Sequence, residues 1–198
     1  MDPPAPAANS VVRPAILFEA GLILVAALLD RWLETRAVVL LRFDLRFVAL
    51  GMLSAIPPLA VFWGLVRSRL RLFADLRAAA VGRVIPLFRG ASLGELALLA
   101  LAAGVGEELL FRGVLQTALI GWMGGTVPGL VASAALFGAA HVVTRTYAVL
   151  AAMVGVYLGV LVLLTGSVIP AMVAHAGYDF IALVLLLREI EARSRAGE

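Results

Sequence analysis

The sequence predicts an all-α fold, a polytopic membrane helical bundle of about six transmembrane helices plus a basic amphipathic surface segment. Three observations predict it. Hydrophobic residues make up 63% of the 198 and charged residues 15%, against roughly 45–50% and about 25% in soluble domains. The mean hydropathy is +1.04. Apolar runs long enough to cross a bilayer alternate with short, arginine-bearing breaks. A water-soluble domain of this size cannot hide so much apolar surface, which excludes a soluble enzyme, and the same composition excludes disorder. Cysteine is absent, so disulfides, thiolate metal sites and cysteine nucleophiles are excluded.

The chain divides into a disordered tail (1–13), an N-terminal pair of spans with a basic loop (14–91), a helical bundle carrying the candidate chemistry (92–187) and a charged tail (188–198). Residues 1–13 are rich in Pro, Ala and small polar types. The first span starts at Pro14, is interrupted by Glu19 and ends near Trp32, an interfacial anchor. Arg13 before an apolar run also suits a signal peptide, but Glu19 and the lack of a small-residue cleavage site speak against that. Asp30 to Asp44 is a charged loop or surface helix. Leu45 to Val66 is the second span, kinked at Pro57-Pro58. Between Arg67 and Arg89 six arginines face one acid, Asp75. Leu70, Phe73 and Leu76 recur every third residue there, which suits an amphipathic helix on the membrane surface.

Ser92 caps the third span, Ser92 to Ile120, with Glu95 in its first turn. Gly121 to Gly125 is a turn. Thr126 to Val143, Tyr147 to Leu164 and Val168 to Leu187 are spans four to six, and their short connections make them antiparallel neighbours. Gly104, Gly106, Gly113, Gly155 and Gly159 suit close helix contact.

All 16 basic residues are arginine. They lie between apolar runs, which suits topology and headgroup contact and argues against a nucleic-acid partner. With six spans, both termini share a side with the 67–89 loop and Arg145. That side holds eleven arginines; the other holds Arg31, Arg36, Arg42 and Arg46. The bias places both termini in the cytoplasm. The all-Arg, Ala-rich usage suits a prokaryotic plasma membrane.

Ionisable groups at membrane depth cost at least roughly 2.5–3.5 kcal/mol each and mark function. Here they concentrate in three helices: Glu107, Glu108 and Arg112 in span three, His141 in span four, and His175 with Asp179 in span six. The chain has only these two histidines. Glu108 and Arg112 are one turn apart and can pair, while Glu107 points about 100° away. His141 stacks one turn beyond Phe137, and Asp179 one turn beyond His175. Such a set can activate a water with a carboxylate base and stabilise an oxyanion. It can bind a divalent metal, or relay protons. Spacing alone leaves these open.

Glu107-Glu108-Leu109-Leu110-Phe111-Arg112 matches an EExxxR motif, Phe137 to His141 an FxxxH motif, and His175 to Asp179 an HxxxN/D motif. In this order they resemble the CAAX-protease and bacteriocin-processing (CPBP, or Abi) family of intramembrane endopeptidases, over roughly residues 90–185. The resemblance implies a helical bundle with an intramembrane cavity that hydrolyses peptide bonds of membrane-associated protein or peptide substrates, CAAX-type ones among them. It implies Glu107 as general base and His141 as the group positioning the water. His175 and Asp179 form the oxyanion-stabilising end, and Glu108 and Arg112 support it. Many members have Asn where this chain has Asp179, and an ionised Asp cannot donate a hydrogen bond. Asp179 therefore either carries a proton or only orients His175.

No HExxH pair of histidines shares a helix, which favours glutamate-activated water without fixing any cofactor. The alternative is a zinc-dependent protease drawing on Glu107, His141, His175 and Asp179. Two other readings are a catalytically idle immunity or regulatory membrane protein of the same family, and a proton or metal-ion carrier. Phe111 and Phe137 are expected to pack only, and Glu19 and Glu95 are expected near the interfaces with no role.

Overall fold

The computed structural model describes residues 9–68, 70, 73–80, 82 and 85–196. It is all-helical over those residues. The helices are α1 (Asn9–Leu33), α2 (Leu45–Ser54), α3 (Ile56–Arg67), α4 (Ala74–Ala79), α5 (Ile85–Phe88), α6 (Leu93–Glu108), α7 (Gln116–Trp122), α8 (Thr126–Ala140), α9 (Arg145–Thr165) and α10 (Ile169–Ala196). A 3-10 turn, Ala37–Leu40, follows α1, and a π-helical segment, Leu109–Leu115, joins α6 to α7.

Among the described residues four stretches are long and apolar enough to cross a membrane: Val11–Leu33, Leu45–Arg67, Arg145–Thr165 and Ile169–Glu189. The third expected span is one helical run from Leu93 to Trp122, broken in character at the π segment. The fourth, Thr126–Ala140, is short. Leu17, Leu28, Trp32, Val61, Met153 and Leu164 lie exposed on the outer faces. Apolar side chains turned outward on this scale belong against lipid.

Local chemistry explains the boundaries. α1 begins at Asn9, ahead of the expected Pro14. Val12 is fully buried and ties this turn down. Residues 1–8 of the expected tail lie outside the described residues. The second span divides at Ala55, because Pro57 and Pro58 supply no N–H to the carbonyls of Leu53 and Ser54. The hydroxyl of Tyr157 donates to the Ser54 carbonyl at 2.9 Å and replaces one lost bond. Part of the basic 67–89 segment, Arg69, Arg71 and Arg83 included, lies outside the described residues; α4 and α5 are the helices seen there. Ser92 and Glu95 form a reciprocal capping box at the start of α6. α10 continues past Leu187 to Ala196.

The core forms where α6 meets α1 and α10, α8 meets α9, and α2 lies along α10. Close approach needs the glycines of α6. A Cβ on Gly104 would lie 2.8 Å from the Ala176 Cβ on α10, and one on Gly106 would collide with the Glu19 carbonyl oxygen on α1. α6 thus lies between α1 and α10, and its last turn delivers Glu107 and Glu108 to the centre of the bundle.

Candidate active site

The two adjacent glutamates face different partners. Glu108 is fully buried, and its Oε1 accepts from Arg112 Nη1 at 2.9 Å and from His175 Nδ1 at 2.8 Å. The sequence places Glu108 with Arg112; the structure adds His175, so one carboxylate joins α6, the π segment and α10. Arg112 is 1% exposed. Its guanidinium lies 4.1 Å from the centroid of Phe137, a cation–π contact strengthened by desolvation.

Glu107 turns toward α8. Its Oε2 lies 3.4 Å from His141 Nε2. His141 is not within span four as expected but is the residue that ends α8, at φ −105° and ψ 29°. Its Nδ1 is 2.8 Å from the Phe137 carbonyl oxygen. A carbonyl only accepts, so Nδ1 carries the proton, and the imidazole covers a carbonyl left bare by the helix end. That bond fixes the ring and leaves Nε2 aimed at Glu107. On the far side, His175 Nε2 is 3.4 Å from Asp179 Oδ2.

Phe137 does more than fill space. Its ring centroid lies 4.3 Å from that of His141, 6.0 Å from His175 and 5.1 Å from Phe111. One aromatic plate therefore separates the two imidazoles and faces the arginine. Glu107, His141 and His175 come from α6, α8 and α10 and meet around it, with Glu108 and Arg112 beneath and Asp179 at the partly exposed edge.

The π segment is not legible from helical spacing. The Gln116 N–H donates to the Phe111 carbonyl five residues back. The buried Ser133 hydroxyl on α8 donates to the same oxygen at 2.9 Å. The widened turn, Leu109–Leu115, overlaps the end of the EExxxR stretch, in keeping with the frequent placement of such turns at functional sites.

Two further features escape the motifs. Glu19, given no role from the sequence, has a carboxyl oxygen, Oε2, buried without a hydrogen-bond partner, and its backbone carbonyl packs against Gly106, the residue before Glu107. Tyr147 on α9 stands 6.3 Å, ring to ring, from His141. The interruption of the first apolar run by Glu19 is the signal that finds the first of these; none in the sequence finds the second. Glu95 is exposed and engaged in its cap.

As they stand, the zinc set left open by the sequence is a series of pairs. His175 Nδ1 is taken by Glu108, its Nε2 faces Asp179, and His141 Nε2 faces Glu107. Among the described residues no three His, Asp or Glu side chains are grouped as ligands of one metal ion.

A lipid-facing helical bundle with carboxylates, an arginine and two imidazoles gathered at its core is an integral membrane protein built around a buried polar centre. Residues 89–181 match the family described as "Type II CAAX prenyl endopeptidase Rce1-like". That stretch contains all three motifs and is similar to this CAAX-protease family, in agreement with the resemblance read from them. Comparisons with curated proteins and with solved structures give no match.

Proposed function

We propose that this protein is an intramembrane endopeptidase that hydrolyses peptide bonds of membrane-associated substrates, CAAX-type proteins among them, by a glutamate-activated water. The observation that carries the reading is the Glu107–His141 pair, 3.4 Å apart, beside a His175 held by the buried Glu108. Glu107 takes a proton from water as the water oxygen attacks the scissile carbonyl carbon. The carbonyl π electrons move to oxygen. His141, locked by the Phe137 carbonyl, positions the water. His175 donates to the oxyanion through Nε2–H, which turns from Asp179 to the substrate, while Glu108 accepts from Nδ1–H and Arg112 balances the carboxylate charge. Asp179, facing His175 Nε2, orients it. As the intermediate collapses, Glu107 returns its proton to the leaving amine. A positioned base supplies roughly 10²–10⁴-fold and an oxyanion donor about 10²–10³-fold.

The arrangement supports the glutamate route over zinc, since among the described residues no three His, Asp or Glu side chains gather around one point. A half-open depression of about 470 Å³ lined by Asp75, Ala78, Ala79, Gly82, Val143 and Thr144 lies beside the loop that follows His141. The arginine bias supports an orientation with both termini in the cytoplasm of a prokaryotic plasma membrane. The test is cleavage of a library of prenylated and unprenylated peptides by purified protein, read by mass spectrometry. Products that vanish with Glu107→Ala support the proposal; a biological effect that survives Glu107→Ala marks the idle-protein reading instead.

A further inference from the structure

The connection between α1 and α2 is tied to the bundle along its length. Asp30 Oδ1 accepts from the Thr35 hydroxyl and from the Ala37 N–H, the latter at 2.7 Å. Glu34 and Arg36 take left-handed backbone, at φ 54° and 55°, which residues with a Cβ hold only where their surroundings impose it. This turn lays the 3-10 helix on the π segment, where a Cβ on Gly113 would lie 3.3 Å from that of the buried Ala37. Further on, the Leu40 carbonyl accepts from the Val168 N–H at 2.9 Å, and the Arg42 carbonyl from the Ser167 hydroxyl at 3.0 Å. The Arg36 and Val38 carbonyls accept from the N–H groups of Val39 and Leu41, and Asp44 caps α2. The protein itself satisfies these backbone groups, which irregular chain needs in a water-poor layer.

The side chains turn the other way. Val38, Val39, Leu41, Phe43 and Leu45 are exposed, Phe43 at 74% and Leu45 at 76%. This apolar surface continues into the exposed Leu28 and Met52 of the flanking spans. Arg36, Arg42 and Arg46 are exposed around it, and none has a carboxylate partner among the described residues. Acyl chains under a layer of phosphates offer both halves of the complement, since arginines beside an apolar face extend to the headgroups.

We propose that residues 37–45 form an interfacial membrane anchor, a rigid loop whose outward side chains are inserted below the lipid headgroups rather than held in water. The proposal does not depend on the hydrolase reading, and its test needs no turnover. The chain has no cysteine, so a single-cysteine variant carries one bimane label at a known place. Labelled Val39→Cys and Phe43→Cys proteins are placed in phospholipid nanodiscs, beside Leu28→Cys on the lipid face of α1 and Arg145→Cys, exposed at the start of α9, as references. Two quenchers are compared: phospholipid brominated near the glycerol end of its acyl chains, and aqueous iodide. The expected result is that the labels at 39 and 43 are quenched by brominated lipid as strongly as the label at 28, and several-fold less by iodide than the label at 145. Both side chains replaced in the loop are exposed, and thermal unfolding confirms that each variant keeps the wild-type stability. Iodide quenching at 39 and 43 equal to that at 145, without an effect of brominated lipid, puts the loop in water and overturns the proposal. Shielding from both quenchers overturns it as well; a disulfide-linked dimer of unlabelled Phe43→Cys protein then identifies a second copy of the chain as the occupant.

Discussion

Glu108 joins three elements through one oxygen, and its removal separates structural from catalytic roles. In Glu108→Ala the Arg112 guanidinium, 1% exposed, keeps its charge and loses its 2.9 Å partner, while His175 loses its 2.8 Å anchor. Stripping one partner from a buried ion pair costs about 3–5 kcal/mol, because the other charge is left uncompensated. Replacing both partners with apolar residues of similar volume is often close to neutral. The double variant Glu108→Leu/Arg112→Met is therefore expected to recover most of the stability lost by Glu108→Ala. It is not expected to recover cleavage, because His175 still lacks its anchor; kcat should stay down by about 10²–10³-fold, as when an oxyanion donor is lost. The assay is thermal unfolding in nanodiscs alongside peptide cleavage for wild type, both single variants and the double variant. A double variant as unstable as Glu108→Ala would refute the ion-pair reasoning. A double variant that cleaves at the wild-type rate would refute the role of Glu108 in holding His175.

Glu107→Gln preserves shape and should leave the unfolding temperature unchanged while cleavage falls by about 10²–10⁴-fold, read by quantitative mass spectrometry. Asp179→Asn should retain cleavage within about tenfold, since an amide oxygen can still orient His175; loss of activity would show that the ionised group is required. Gly104→Leu should destabilise the protein, because even a Cβ there lies 2.8 Å from Ala176; the check is the unfolding temperature. Dialysis against a zinc chelator should leave cleavage intact, and loss of activity restored by zinc would replace the glutamate route with a metal one.

The spans were legible because lipid imposes a simple rule. Every backbone group must be satisfied within its own helix, so length and hydropathy mark the helices and proline pairs mark their breaks. The kink at Pro57-Pro58 follows from missing donors alone. The i,i+4 pairs were legible for the same reason: Glu108 with Arg112, and His175 with Asp179, are set by one helix each. What joins helices was not. The Glu108–His175 bond spans 67 positions and depends on α6 and α10 meeting at Gly104 and Ala176. The π segment was illegible because its distinguishing hydrogen bonds depend on tertiary support, here the Ser133 hydroxyl from α8.

His141 shows how such an error changes the chemistry. Treated as a mid-helix residue one turn beyond Phe137, it is a ring stacked beside a ring. At the end of α8, the same separation from Phe137 becomes a hydrogen bond from Nδ1 to a carbonyl that has lost its helical partner. The tautomer is then set by where the helix stops, and the remaining nitrogen is delivered to Glu107. Next to Glu107, α1 comes close because residue 106 has no side chain and the Glu19 carbonyl oxygen fills that space. Glu107 thus lies beside an imidazole fixed by a helix end and next to a glycine contact that packs α1 on α6, and both depend on backbone geometry that helical spacing does not show.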